Sequence, residues 1–261
     1  MVKFFSPNNL KGMAIGAIFQ AGEIALKLKE KLVINYKSPN QPVTNADKQI
    51  DYFLFNFFKT NTPDFGWLSE ESKDNNSRFK NDFFWCLDPI DGTRSYIMGK
   101  PEYTISLALI KNSSPVMGII YNPETKDLFF AEKGKGAYCN KKNIFVNKKK
   151  NIDTCSVVIS SSEEKKLRSY NFFTDKEIIT IGSIAYKIVL VAKGDIDIAL
   201  SLTKKNDWDL AAADLIIKEA GGLIYQTNGK KIVYNTDKLH INSVMASNSI
   251  ILPELKRNLK E

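Results

Sequence analysis

The sequence predicts a mixed α/β fold in which two α/β halves meet near residue 150 and pack as one rigid unit. Its 261 residues are 43% hydrophobic, which is ample for one sizeable core. Six strand-like runs separated by Asn, Pro, Gly and Lys turns occupy residues 65–140. From residue 155 onward, strand-like and helix-like segments alternate. No long linker or internal repeat interrupts the chain, so we predict an N-terminal half at 1–150 and a C-terminal half at 151–261.

Two helices are predicted ahead of the first strand. The first covers residues 6–31, where apolar residues recur at helical spacing and Ser6 is a candidate N-cap. The second covers residues 43–58. Its buried stripe is predicted to consist of Ile50, Phe53, Leu54, Phe57 and Phe58.

The strands of the N-terminal half are predicted to form a meandering antiparallel sheet, because turn residues bound each of them. They cover residues 65–68, 82–87, 103–110, 115–123, 127–132 and 136–140. The predicted strands of the C-terminal half cover residues 155–161, 177–182, 196–201, 222–226 and 243–247. The predicted helices there cover 183–194, ending at Gly194, then 208–222, closed by Gly221, and finally 249–260.

Composition narrows the class of protein. The three cysteines form no CxxC pair and lie in apolar or strand-like contexts, which favours buried free thiols in a reducing cytosol; they are Cys86, Cys139 and Cys155. The start of the chain lacks a basic segment followed by an unbroken apolar stretch. No apolar run reaches the roughly 18–20 residues that span a bilayer. The expectation is a cytoplasmic protein without a membrane partner.

The net charge is +8, and much of the excess lies in the segment NKKNIFVNKKK at residues 140–150. This segment is either a solvated basic loop or a surface that attracts an anionic substrate or nucleic acid. No nucleic-acid-binding motif with interleaved aromatic residues accompanies it, so nucleic acid is not the expected partner. The single histidine, His240, has no Ser or Cys in a nucleophile elbow nearby, which argues against a histidine triad.

The motif DPIDGT at residues 88–93 directly follows an apolar, strand-like run. Its proline and its Asp-Gly pair favour a tight turn, and a turn alone is one interpretation. The other is a cation site, because a strand that ends in Asp88 and a stiff step to Asp91 can aim both carboxylates at one hard cation. The carbonyl of Ile90 could supply a further ligand, and Gly92 would let the backbone approach closely.

Four further carboxylates carry two interpretations each. Glu70 and Glu71 follow a strand, where a solvated loop and a ligand position at the sheet edge are both consistent with the sequence. Asp47 lies three residues after Thr44, as in a capping box, and Asp209 lies at the start of a helix, where a cap or dipole partner is expected. A carboxylate at a helix N-terminus can serve a metal as well as the helix.

Taken in order, VTNAD, EES, a strand ending in DPIDGT, and WDLAAA followed by EAGG resemble the inositol monophosphatase superfamily of Mg²⁺-dependent, lithium-sensitive phosphatases over residues 44–222. The resemblance implies a layered αβαβα sandwich of the inositol monophosphatase and fructose-1,6-bisphosphatase type, with a metal site between the two halves. It also implies two or three Mg²⁺ ions, inhibition by Li⁺ and hydrolysis of a phosphomonoester by a metal-activated water. Because dimers are common in this family, a homodimer is an expected option.

The resemblance further implies roles for individual residues. The implied metal ligands are Glu70, Asp88, the Ile90 carbonyl, Asp91 and Asp209. Asp47 and Thr93 match the pair that orients or activates the water, and Glu70 joins them in the catalytic set. The predicted substrate contacts are Gly92, Thr93, Gly182, Ser183, Lys204, Lys205 and Asp209, of which the two lysines depart from the pattern of inositol-preferring members. The N-terminal half therefore carries most metal ligands, whereas the C-terminal half carries Asp209 and the specificity residues.

The sequence leaves the substrate open. Inositol-preferring members commonly carry an acid shortly before WD, but SLTKKN has none and offers Lys204 and Lys205, which would suit a second phosphate. The segment EYTISLALI also resembles bacterial 3′(2′),5′-bisphosphate nucleotidases, which makes 3′-phosphoadenosine 5′-phosphate the leading candidate. DPIDGTRSYIMGKP instead resembles inositol or histidinol phosphatases, so inositol 1-phosphate and histidinol phosphate stay alternatives.

Two further interpretations stay open. The two lysines of SLTKKN could simply belong to an exposed loop of a lysine-rich protein, without any role in specificity. The alternative of another class is an RNA- or polymerase-binding regulatory protein on the same fold, whose basic segment at 140–150 makes the contact.

Overall fold

The computed structural model describes residues 7–259, which form two large sheets and three helical layers. The helices are α1 (Pro7–Lys29), α2 (Asn45–Asn61), α3 (Thr93–Ile97), α4 (Ser161–Arg168), α5 (Ile184–Lys193), α6 (Asp207–Glu219) and α7 (Leu252–Asn258). The strands of the first half are β1 (Ile34–Ser38), β2 (Gln41–Thr44), β3 (Gly66–Ser69), β4 (Phe83–Asp91), β5 (Thr104–Lys111), β6 (Ser114–Asn122), β7 (Asp127–Glu132), β8 (Ala137–Cys139) and β9 (Lys142–Asn143). The later strands are β10 (Val157–Ile159), β11 (Ile178–Thr180), β12 (Ile198–Ser201), β13 (Lys205–Asn206), β14 (Gly222–Tyr225), β15 (His240–Ile241) and β16 (Val244–Asn248). The candidate cap Ser6 lies outside the described residues.

The layers stack in the order helix, sheet, helix, sheet, helix. The first sheet, ordered β3-β4-β5-β6-β7-β8-β9, buries one face against α1 and α2. Its other face packs on α5 and α6, which are covered in turn by the second sheet, ordered β11-β10-β12-β16-β14. In β10, Val158 faces α5 and α6, whereas Val157 and Ile159 face the outer layer of α4 and α7. The expected αβαβα sandwich is therefore confirmed.

The start of α2 shows how local sequence sets an element that carries a candidate site residue. The Thr44 hydroxyl accepts a hydrogen bond from the Asp47 amide at 3.4 Å, and Asp47 Oδ2 accepts one from the Thr44 amide at 2.8 Å. This reciprocal pair is the capping box that the sequence predicts. The predicted apolar stripe is buried at Ile50, Leu54 and Phe58 and half-buried at Phe53 and Phe57.

The predicted antiparallel meander is wrong for one strand pair. β3 runs parallel to β4, whereas β4 to β9 are antiparallel to their neighbours. The segment between β3 and β4 includes a short 3₁₀ helix at Ser77–Phe79. The connection runs from the end of β3 at Ser69 to the start of β4 at Phe83. It is long enough to return the chain to the end of the sheet at which β3 began, which a parallel pair requires and a tight turn cannot provide.

The β1–β2 hairpin, α3 and α4 were not predicted, and neither were the two-residue strands β9, β13 and β15. The β1–β2 hairpin is largely exposed and has no alternating apolar face, α4 reads SSEEKKLR with one apolar residue, and α3 is a single short turn after DPIDGT. None shows the apolar periodicity on which sequence-based assignment depends.

None of the helices within residues 7–259 combines the length and the apolar character that a bilayer-spanning segment requires. Strands β3 to β9 form the first sheet and β1 and β2 form a separate pair, whereas strands from β10 onward belong to the second sheet or to the small β13–β15 pair. The boundary near residue 150 stays a prediction, because α5 and α6 of the C-terminal half also bury the first sheet.

Candidate metal centre and active site

Three carboxylates converge where β4 meets α6. Oxygen atoms of Asp88, Asp91 and Asp209 all lie within 4.8 Å of one another. In a regular strand, residues three apart point to opposite faces, but the β4–β5 register shifts between Asp88 and Asp91. The irregularity brings both side chains to the cluster, and Asp209 reaches it from the first turn of α6. The turn interpretation and the cation-site interpretation of DPIDGT are therefore compatible, because the same backbone irregularity brings its two carboxylates together.

Asp91 is held by the N-terminus of α5. Its Oδ2 atom accepts hydrogen bonds from the Ser183 hydroxyl at 2.5 Å and from the Ala185 amide at 2.6 Å. Ser183 is also the N-cap of α5, since its hydroxyl accepts a bond from the Tyr186 amide at 3.0 Å. One oxygen of Asp91 is thus committed to the protein, and the other is left for a cation. The Ser183 hydroxyl is directed at Asp91, and its contact with substrate stays a prediction.

The cluster carries more negative charge than the protein balances. Burial, with Glu70 and Asp91 nearby, raises the pKa of Asp88 well above its usual range. Burial and the neighbouring Asp91 raise the pKa of Asp209 to about 8. Among residues 7–259, no lysine or arginine forms an ion pair within 4 Å with any of the three carboxylates. Convergent carboxylate oxygens are the donor set that Mg²⁺ prefers, so the residues present fit the implied ion.

The raised pKa values predict how the metal-free protein responds to pH. Because the folded-state pKa values lie above the value of roughly 4 in unfolded chains, the folded protein holds more protons between the two values. The free energy of unfolding should therefore fall as pH rises from about 5 to about 8. Added Mg²⁺ should reverse the trend, since it binds deprotonated carboxylates in the folded state.

Thermal unfolding with EDTA and with Mg²⁺ at both pH values measures this response. Asp209→Asn is the control, because removal of one crowded carboxylate should flatten the metal-free pH dependence. A metal-free Tm that rises between the two pH values would contradict the assignment of these pKa shifts to the cluster.

Asp47 and Thr93 lie together beside this cluster. The Thr93 hydroxyl is 3.1 Å from Asp47 Oδ1 and 3.0 Å from the Ile90 carbonyl oxygen. Thr44 holds the other oxygen of Asp47 through the capping box. Gly92, with φ of 97°, turns the chain so that α3 starts at Thr93. The two interpretations of Asp47 are compatible, because one carboxylate oxygen caps α2 and the other faces Thr93.

Glu70 lies at the edge of the site and has a partner that the sequence did not reveal. Lys37, from the unpredicted β1–β2 hairpin, donates to Glu70 Oε1 and to Glu71 Oε1, both at 2.8 Å. Although burial lowers it, Glu70 and Glu71 raise the pKa of Lys37 above its usual range. Burial raises the pKa of Glu71 to about 7. The Ser-Pro-Asn turn between the hairpin strands is the one sequence signal that could have indicated this element.

The two candidate substrate lysines differ in their surroundings. Lys204 is exposed, and its ammonium forms no hydrogen bond or ion pair within the described part of the chain. Lys205 is half-buried, and its ammonium donates to the Thr203 hydroxyl at 2.9 Å. The charge of Lys205 also acts on Asp209, where it opposes the effect of burial on the pKa. The charge of Lys205 therefore lies close enough to act on Asp209, whereas Lys204 is exposed to solvent.

Beneath Lys205 lie two buried charged residues that sequence reasoning missed. Glu163, from α4, accepts a hydrogen bond from the Leu202 amide at 2.6 Å. Although burial raises it, the ammonium groups of Lys205 and Lys187 lower the pKa of Glu163 overall. Lys187, on α5, is fully buried, donates to the Ser160 hydroxyl at 2.7 Å, and has its pKa lowered by burial to about 8. Neither had a local signal, because a single charge in a helix normally faces water. Gly182, the other predicted contact on this side, directly precedes Ser183 at the start of α5.

The chain is similar to several known proteins over most of its length. The family model described as "Inositol monophosphatase family" matches residues 7–260. The Nus factor SuhB of Pasteurella multocida is 31% identical over 235 residues, covering 85% of this chain and 86% of that protein. The 3′(2′),5′-bisphosphate nucleotidase CysQ of Aggregatibacter actinomycetemcomitans is 29% identical over 232 residues, covering 85% and 86%. A solved structure of an IMPase from Thermotoga maritima superposes with a TM-score of 0.84 at 25% identity and covers 95% of both chains.

Proposed function

This chain belongs to the inositol monophosphatase family, and from that premise we propose that it is a Mg²⁺-dependent phosphomonoesterase acting on a small phosphorylated metabolite. The observation that carries the proposal is the convergence of three carboxylates, the buried Asp88 and Asp91 and the half-buried Asp209, within 4.8 Å. The Asp47–Thr93 pair lies directly beside them. Together they supply a cation site and a site to orient water, which are the two requirements of metal-assisted phosphate ester hydrolysis.

The proposed roles follow from the contacts of each residue. Asp88, Asp91, Asp209, Glu70 and the Ile90 carbonyl would hold the ions, as the family resemblance implies. When bound, Mg²⁺ supplies the Lewis acidity that activates water and offsets the charge of the phosphoryl group.

The remaining roles belong to protein groups that position the reactants. Thr93 and Asp47 would hold the attacking water and accept its proton, because the Thr93 hydroxyl can pass a hydrogen bond on to Asp47 Oδ1. The Gly92 and Thr93 amides at the start of α3 would contact phosphate oxygens. No covalent nucleophile is required by this scheme.

For the substrate, the half-buried Lys205 favours a leaving group that carries a second anionic group. We therefore propose 3′-phosphoadenosine 5′-phosphate as the leading candidate, and the similarity to a protein named 3′(2′),5′-bisphosphate nucleotidase supports it. Inositol 1-phosphate and histidinol phosphate are the alternatives among monophosphates. A homodimer stays a prediction.

Phosphate release from a small panel tests both the reaction and the substrate. The panel consists of 3′-phosphoadenosine 5′-phosphate, inositol 1-phosphate, fructose 1,6-bisphosphate and histidinol phosphate, each with Mg²⁺ and with added Li⁺. We expect Mg²⁺-dependent release that Li⁺ inhibits, with the highest kcat/KM for 3′-phosphoadenosine 5′-phosphate. Inactivity on all four compounds would contradict the proposed phosphatase activity.

The contrast between the two lysines gives a matched pair of variants. Lys205→Met should raise KM for 3′-phosphoadenosine 5′-phosphate about tenfold, because it removes a charge that faces the leaving group. KM for inositol 1-phosphate should change by less than about twofold. Lys204→Met is the control and should leave both values unchanged, since its ammonium faces solvent. Equal effects of Lys205→Met on both substrates would assign Lys205 to the surface.

A regulatory function is the second candidate. The similarity to a protein named Nus factor supports it, as do the exposed side chains of Lys141, Lys142, Phe145, Lys148 and Lys150 in the basic segment. Salt-sensitive binding to RNA or to a polymerase, without phosphate release in Mg²⁺, would favour this candidate. The complete set of candidate metal ligands favours the enzyme.

A further inference from the structure

Arg78 is a buried arginine outside the carboxylate cluster, in the 3₁₀ helix between β3 and β4. Its side chain is only 3% exposed. Nε donates to Asp74 Oδ2 at 2.7 Å, and Nη1 donates to Asn235 Oδ1 at 2.8 Å and to the Thr236 carbonyl at 3.1 Å. The Asn235 amide group donates back to the Arg78 carbonyl at 3.3 Å. The planar guanidinium therefore joins two segments that lie 157 residues apart in the chain.

On the C-terminal side, this network ends at the first turn of α6. The Asn235 backbone amide donates to Asp207 Oδ2 at 2.7 Å, and Asp207 is the first residue of α6. Asp209, the candidate ligand from the C-terminal half, lies two residues further in the same turn. Because a helical turn is rigid, a displacement of Asp207 moves the Asp209 carboxylate with it.

On the N-terminal side, the network ends at the strand that leads to Glu70. The Ser77 hydroxyl, next to Arg78, accepts a hydrogen bond from the Trp67 amide of β3 at 3.0 Å. β3 ends at Ser69, and the Glu70 amide donates to the Leu87 carbonyl of β4 at 3.2 Å. Glu70 is therefore carried by a strand to which the Arg78 turn is directly bonded.

We propose that Arg78 is a positioning residue that sets the placement of Asp209 relative to Glu70 and so determines how tightly the site binds Mg²⁺. The inference rests on the proposed function, because it concerns the ions of that reaction. Arg78 touches neither candidate ligand, and it acts through Asn235 and Asp207 on one side and through the turn at Ser77 on the other. Outer-shell partners of metal ligands commonly contribute in this way to metal affinity.

The test compares Arg78→Lys and Arg78→Met with the full-length wild-type protein. Mg²⁺ binding is measured by titration calorimetry, and the Mg²⁺ dependence of phosphate release is measured in parallel. We expect Mg²⁺ binding to weaken about tenfold in both variants, because a lysine ammonium cannot reproduce the planar, multidentate contacts. At saturating Mg²⁺, kcat should recover to within about threefold of wild type, since the ligands themselves are intact.

Two further variants separate positioning from a loss of stability. Asn235→Gly breaks the same network from the other half and keeps the left-handed conformation of this residue, whose φ is 60°. It should reproduce the weaker Mg²⁺ binding, which keeps the inference testable if the Arg78 variants fail to fold. Asp197→Asn is the matched control, because Asp197 is also buried and accepts a hydrogen bond from the Ser156 amide, but it directly precedes β12, at the end of that strand away from Lys205. It should lower Tm without changing Mg²⁺ affinity.

The outcomes are distinguishable. If the wild type binds Mg²⁺ and releases phosphate while the Arg78 and Asn235 variants bind Mg²⁺ as the wild type does, the positioning role is wrong and the proposed function stands. An activity loss that excess Mg²⁺ does not restore would also overturn the positioning role. If the wild type neither binds Mg²⁺ nor releases phosphate, the proposed function fails, and the inference fails with it.

Discussion

Asp91→Asn should lower Mg²⁺-dependent phosphate release by about a thousandfold or more, because it removes a charge from the proposed cation site. The geometry leaves asparagine no good orientation. With its oxygen toward Ser183 and the Ala185 amide, where Asp91 Oδ2 lies, the NH₂ group points at the cation. After a flip, the NH₂ group faces the Ala185 N–H instead. A carboxylate suits this position because one oxygen accepts the hydrogen bonds from Ser183 and Ala185 while the other can bind a cation.

The fold of the Asp91→Asn protein should survive. The variant weakens two hydrogen bonds but removes one of three mutually repelling, crowded carboxylates, so the metal-free Tm should change little. Asp153→Asn is the control, since this side chain is 76% exposed and the substitution should alter neither activity nor Tm. Steady-state rates over a range of Mg²⁺ concentrations and thermal unfolding measure the two effects. Wild-type activity in Asp91→Asn would remove Asp91 from the metal site.

Gly118→Ala should lower the free energy of unfolding by about 3 kcal/mol, at the upper end of the usual cost of overpacking. Gly118 lies on β6 under α6. A Cβ atom at this position would lie 2.6 Å from the Ala212 carbonyl oxygen and 3.1 Å from its Cα. These are backbone atoms of a helix that is itself packed between two sheets, so the clash cannot be relieved by a side-chain rotation.

The matched control for Gly118→Ala is Gly16→Ala in α1. No atom lies within 4 Å of a Cβ built there, and alanine is favoured over glycine in a helix by roughly 0.5–1 kcal/mol. The same chemical change should therefore stabilise the protein at one site and destabilise it at the other. Urea unfolding of the two variants and the wild type measures both. A Gly118→Ala protein as stable as the wild type would show that α6 and the first sheet can separate at little cost, contrary to the packing described.

Local sequence patterns predicted much of the fold and the site. The capping box at Thr44 and Asp47 and the boundaries of α5, between Ser183 and Gly194, follow from short-range chemistry and are confirmed by the structure. The convergence of Asp88 and Asp91 was expected from the stiffness of DPIDGT, and the structure brings both to one cluster with Asp209. In each case the relevant contacts lie within a few residues of one another or come from a motif set by the family resemblance.

Long-range contacts account for what was missed. Lys37 reaches Glu70 from a hairpin 33 residues away, and Glu163 reaches the Leu202 amide 39 residues away. Arg78 meets Asn235 across an even longer separation. Each is a single charged residue outside any periodic pattern, so the sequence alone does not distinguish it from a solvent-exposed side chain. The parallel pairing of β3 with β4 was missed for a related reason, since strand direction depends on how the connecting segment crosses the sheet.

The sequence by itself determined the α/β fold class through apolar periodicity, and the order of its acidic motifs carried the resemblance to the family. Only the tertiary structure decided which charged groups share a site. It directs the Ser183 hydroxyl at Asp91, brings the charge of Lys205 near Asp209 while Lys204 stays exposed, and buries Glu163. The physical reason is that electrostatic interactions depend on distance and burial, and both are set only when distant segments pack.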